Sequence, residues 1–125
     1  MANPEHLKIL RKGVKAWNKW RKENPYIEPD LSNTELESID LSLADLTSAN
    51  VFFTGLDHAN LSGANLMKAD ISSSELFETN LRAANLSCAN LIGTDLARAD
   101  LFGANLEQAN CKTRTYVHAS LLGLI

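Results

Sequence analysis

The chain is poor in the residues that most often carry chemistry or staples. Its 125 residues hold two Cys, two Trp, two Tyr, four Phe and three His. Two cysteines cannot build a disulfide framework, and free thiols suit a reducing cytoplasm, the compartment expected here. No apolar run approaches the length that crosses a membrane. Lys8, Arg11 and Lys12 interrupt the first apolar residues, so the N-terminus does not read as a secretory signal. No glycine-rich phosphate loop, metal-ligand cluster or paired general acid and base is present in the sequence. An enzyme, a cofactor and a metal are therefore not expected. At this length one domain is expected.

What the chain does have is a register. From residue 31 to residue 121 every fifth position is apolar or, at Cys111 and Tyr116, close to it. The centres begin Leu31, Leu36, Leu41, Leu46, Val51 and continue to Leu121. A helix advances about 100° per residue, so a five-residue step would smear these side chains around the cylinder. A straight strand alternates with period two, so an odd step would send successive centres to opposite faces. The pattern is coherent only if the chain turns a corner in every repeat.

Two residues before most centres stands Ala, as at Ala44, Ala49, Ala59, Ala64 and Ala69, and between the two stands Asn or Asp. Strand alternation over those three residues points Ala and Leu inward and the amide or carboxylate outward. Short polar side chains of that kind bond nearby backbone and favour turns.

A second period sets the number of corners per coil. Hydroxyl residues replace Ala at Thr34, Thr54, Ser74 and Thr94, each twenty residues from the last. Val51 and Ile71 repeat the spacing, as do the small corner residues Gly63, Ala83, Gly103 and Gly123. Four repeats therefore close one coil, and the inward hydroxyls are expected to bond the backbone of neighbouring coils. Cys88 then points out and Cys111 in, which argues against a bridge between them.

The motif A-[DN]-L-x-x, as in Ala59-Asn60-Leu61-Ser62-Gly63-Ala64-Asn65-Leu66, resembles the pentapeptide repeat family over residues 29–121. The resemblance implies an all-β solenoid, a right-handed quadrilateral β-helix, here of about five coils over residues 29–125. The short array behind a Trp-bearing helix is similar to stand-alone pentapeptide repeat proteins of cyanobacteria. Many members carry Phe at the centre, whereas all four Phe residues of this chain lie elsewhere.

Residues 1–28 do not follow the repeat and read as an N-terminal α-helical cap and linker. Asn3-Pro4-Glu5 is a helix start, and Asn24-Pro25 a stop. Leu7, Leu10, Val14, Trp17 and Trp20 form one apolar face of a single helix, with seven Lys and Arg, Arg21 among them, on the rest. That face is expected to cover the open first coil, since a solenoid needs capped ends. At the other end Arg114 and Tyr116 break the pattern, and Leu121, Leu122, Leu124 and Ile125 make a crude apolar cover. A homodimer through this C-terminal end is expected.

Charge is divided: seven bases face three acids in residues 1–28, and five bases face twelve acids thereafter, with one side of the coils carrying Glu35, Glu37, Asp57, Glu75, Glu78 and Asp95 against Arg98 and Arg114. His6 is read as having a local role; His58 and His118 lie three coils apart, about 14 Å, too far to share a metal. Gly55 reads as a local irregularity. Phe52, Phe53, Phe77, Ile92 and Phe102 fall at outward corners and are the candidate contacts with a partner. The expected function is a non-catalytic scaffold that binds a protein. Two alternatives follow: a DNA-mimicking topoisomerase (gyrase) interactor, which the family resemblance suggests, and attachment to a membrane or nucleic acid through the basic helix. Neither membrane nor nucleic acid is the favoured partner.

Overall fold

The computed structural model of the protein describes residues 1–114. Residues 30–109 wind into four coils of twenty residues. The pairing that defines them is uniform: thirteen parallel β-bridges join residue i to residue i+20, from Asp30↔Asn50 to Asn90↔Asn110, so each coil has four sides. Only one residue per side bridges, because the corners leave no room for longer strands. A fifth coil would begin at Asn110 and falls largely outside the described residues. So do Tyr116, His118, Leu121, Leu122, Leu124 and Ile125, and with them the expected C-terminal contact.

We number the sides by their buried centres. Face 1 stacks Leu31, Val51, Ile71 and Leu91; face 2 Leu36, Leu56, Leu76 and Leu96; face 3 Leu41, Leu61, Leu81 and Leu101; face 4 Leu46, Leu66 and Leu86 beneath a half-buried Leu106. The inward Ala residues fill the gaps between them. Each centre from Leu31 to Leu91 donates its N–H to the coil above, as Leu61 does to Asn80 O at 2.7 Å. The Asn or Asp before it donates back, as Asn60 does to Ile39 O at 2.9 Å.

The corners explain the polar residue. Ala44 N–H closes a turn on Leu41 O at 3.1 Å, and the same bond recurs along the chain. The second corner residue has positive φ at every turn from Asn33 to Gln108, while the first has none, which is the signature of a type II turn. The preceding Asn or Asp steadies the corner by accepting the N–H two residues on, as Asn60 Oδ1 does from Ser62. The hydroxyl column behaves as the sequence implied: Thr54, Ser74 and Thr94 donate to Leu31 O, Val51 O and Ile71 O of the coil below. Thr34 has no coil beneath it and turns to Ser32 O.

The cap is two helices, not one. α1 spans Pro4–Leu10, with Asn3 accepting from Glu5 N at its start, and α2 spans Val14–Glu23. The break falls at Gly13, whose φ of 108° no α-helix contains. Bending there lets both helices follow the square rim. Leu10 and Trp17 are buried against the first coil, with Leu7, Val14 and Trp20 partly so.

Candidate interaction surface

The cap satisfies backbone groups that a preceding coil would otherwise meet. Trp17 Nε1 donates to Asp45 O at 2.8 Å, Asn18 Nδ2 to Leu43 O at 3.0 Å, and Asn18 Oδ1 accepts from Asp45 N at 2.8 Å. Arg21 was expected among the solvent-facing bases and is instead buried. Its Nη2 donates to Thr47 O at 2.7 Å and its Nη1 to Ile27 O at 2.9 Å. His6 is likewise no merely local residue. Its Nδ1 accepts from Asp30 N at 3.0 Å, and its ring packs on Trp20. Burial pushes the His6 pKa below its ordinary value, against the pull of Asp30.

The corner residues do not form one patch. Phe52 and Phe53 stand together on the corner between faces 1 and 2, 41% and 59% exposed, with ring centroids 6.1 Å apart. Ile92 lies on the same corner two coils further, about 10 Å away. Phe77 belongs to the next corner and is half-buried, packed edge-on against His58 at 5.7 Å. Phe102 lies on the corner diagonally opposite, its ring covered by the guanidinium of Arg82 from the coil below, 4.8 Å from the ring centroid.

Face 2 carries the charge. Glu78 lies between His58 and Arg98, 3.7 Å from each. Arg114, standing where the repeat has Ala, pairs with Glu75 at 2.7 Å and Asp95 at 3.5 Å. Further down the same face, among the described residues, no base pairs with Glu35, Glu37 or Asp57. Glu35, Glu37, Asp57 and Glu75 line a notch of about 130 Å³ walled on one side by Phe53. Gly55 is the floor of this notch: a Cβ there would meet the carboxylate ends of two flexible side chains, Glu35 Oε2 at 2.5 Å and Glu37 Oε1 at 2.9 Å. The hydrogen bond shared with Glu37, and then its like charge, hold the Glu35 carboxyl above its ordinary value. Glu75 is too long for the short-range turn bond of Asn or Asp, and Phe77 N–H goes instead to Asp57 Oδ1 of the coil below at 2.9 Å.

The repeat register already sets these four acids on one side of the coils; the notch itself, with Gly55 as its floor and Phe53 as its wall, was not legible because its parts lie up to 40 residues apart. Among the described residues no group of three or more His, Cys, Asp or Glu is arranged to hold a metal ion. Among them also no helix is long and apolar enough to cross a membrane. Cys88 and Cys111 are unbridged.

A family model described as pentapeptide repeats (8 copies) matches residues 53–82 and 74–110. Among solved structures the chain is similar to HetL, a pentapeptide repeat protein involved in heterocyst differentiation regulation from the cyanobacterium Nostoc sp. strain PCC 7120. The two are 34% identical with a TM-score of 0.64, over 77% of this chain and 44% of HetL. The chain thus spans less than half the length of that relative. It is also similar to alr5209, a pentapeptide repeat protein from the same Nostoc strain, at 26% identity and a TM-score of 0.47, over 89% of this chain and 93% of that one. A third neighbour is Rfr23 from the cyanobacterium Cyanothece 51142, at 24% identity and a TM-score of 0.36, over 86% and 91% of the two chains. No curated protein matches the chain.

Proposed function

The chain belongs to the pentapeptide repeat family, whose members form right-handed quadrilateral β-helices, and from that premise we propose that it is a non-catalytic scaffold that binds another protein. The observation that carries this reading is the exposed Phe52–Phe53 pair beside an acidic notch. Exposed aromatic residues grouped at one place are a common mark of a contact surface. The coils supply rigidity, since every side is hydrogen-bonded to its neighbours, so the corner is presented without an ordering cost on binding. The two unbridged thiols support a reducing compartment, the cytoplasm, as its location.

The duplex-mimicking alternative asks for an uncompensated acidic rod. Here Arg82 pairs with Asp100 at 3.2 Å, and Arg98 and Arg114 neutralise the upper part of face 2, so on that face the free acid is confined to the lower notch. Gyrase supercoiling is accordingly expected to proceed unchanged in the presence of the protein. The test of the main reading is affinity capture from native extract with the wild-type chain and with Phe52→Ser/Phe53→Ser. A protein retained by the first and lost by the second supports it. Identical capture by both, with folding intact by circular dichroism, refutes it.

A further inference from the structure

The helical cap closes only half of the rim it sits on. In the coils above, the groups that face downward are always paired: Gly55 N–H donates to Thr34 O, and Gly55 O and Asp57 O accept from Leu36 and Ser38. One coil lower, the equivalent groups on faces 1 and 4 are met by Asn3, His6, Trp17 and Asn18. On face 2 the equivalent N–H of Glu35 and carbonyls of Glu35 and Glu37 have no partner among the described residues. Glu35 and Glu37 are exposed, so water and not protein meets this edge. An open, regular edge of this kind is a template for one more strand.

Which strand it takes is decided by charge. The edge runs along the foot of the notch, where Glu35, Glu37 and Asp57 stand with no base beside them and Phe53 forms the wall. Like charges held this close repel, and a cation placed between them relieves the repulsion. An aromatic face beside carboxylates suits a guanidinium or ammonium group on a long stem. We propose that this edge takes an extended, Arg- or Lys-bearing segment of a partner protein, added to face 2 as one further parallel rung with a basic side chain in the notch. The proposal rests on the scaffold reading and deepens it by naming the chemistry of the partner.

The probe is a capped, fluorescent peptide of alternating Thr and Arg, titrated with the intact protein at low salt and followed by anisotropy and by backbone amide NMR shifts. Binding is expected, with shifts at Glu35, Leu36 and Glu37. Glu35→Gln/Glu37→Gln is expected to weaken it about tenfold, since it removes the charge-assisted contacts. Both residues are exposed, and an unchanged melting curve keeps that variant interpretable. A peptide N-methylated at alternate residues keeps its charge and loses its pairing donors, and it is expected to weaken to the same degree. Absence of binding, indifference to N-methylation, or shifts confined to the other faces would overturn the proposal. If the peptide binds while Phe52→Ser/Phe53→Ser changes nothing in the capture experiment, the edge stands and the Phe-centred reading falls. The reverse pair of results removes the edge alone.

Discussion

In the coils nearly every backbone bond has a copy twenty residues above or below it, whereas the cap meets the first coil through side chains that occur once: Trp17, Asn18, Arg21 and His6. The coils are thus held by repetition and the cap by particulars. Loss of one rung leaves its neighbours in place. Loss of one cap contact leaves a partly buried donor or acceptor without a copy elsewhere to replace it, which is the costlier kind of defect.

Two truncations set the regions against each other. Trp17→Ala removes a fully buried indole and its bond to Asp45 O, and is expected to cost about 3–5 kcal/mol. Leu81→Ala, in the middle of face 3, is expected to cost about 2–5 kcal/mol, because the coils on either side cannot close the hole. Denaturant unfolding measures both, and hydrogen exchange separates them. The Trp17 variant should lose protection first in residues 31–49, and the Leu81 variant across the neighbouring coils. Equal loss everywhere in both would erase the distinction between the regions.

A smaller effect tests the repeated corners. Gly103 has φ of +74°, and a Cβ there would meet the Ala83 backbone at an ordinary contact distance of 3.8 Å, so Gly103→Ala isolates the conformational strain, expected at about 1–2 kcal/mol. The smallest probes the cap by pH. His6 accepts a backbone hydrogen bond and its pKa lies below the ordinary value of 6.5, so the unfolded chain binds the proton more tightly. Its contribution to stability is fully present above pH 6.5 and is lost as pH falls through the lower folded value. Thermal melts across that range should show the decline in the wild type and a flatter profile in His6→Gln. A wild-type profile that rises toward acid would contradict this.

These contrasts also say what could be read from the chain alone. The twenty-residue hydroxyl column was legible because a buried hydroxyl needs a partner, and the coil below is the nearest one. Asn and Asp before each centre were legible as turn formers for a similarly local reason. The helix break at Gly13 was not, since an apolar stripe continues across it and only the shape of the rim demands a bend. Burial of Arg21 was hidden because its partners, Ile27 O and Thr47 O, are backbone atoms that every residue possesses. Phe77 read as equivalent to Phe53, and what separates them is His58, one coil below and on another repeat. The acids of face 2 were legible from the register, while the hollow among them needed the stacking of residues 35, 55 and 75 before it could be seen.

Because each bridge joins positions twenty apart, the molecule can change length only by whole laps without disturbing itself. Excising residues 51–70 would bring Asn50 against Ile71 with every column still aligned. Excising five residues would carry everything downstream one side further round, setting the inward hydroxyls over alanines. Growth or loss of this protein by gene rearrangement is therefore quantised, with sixty nucleotides as its smallest silent step.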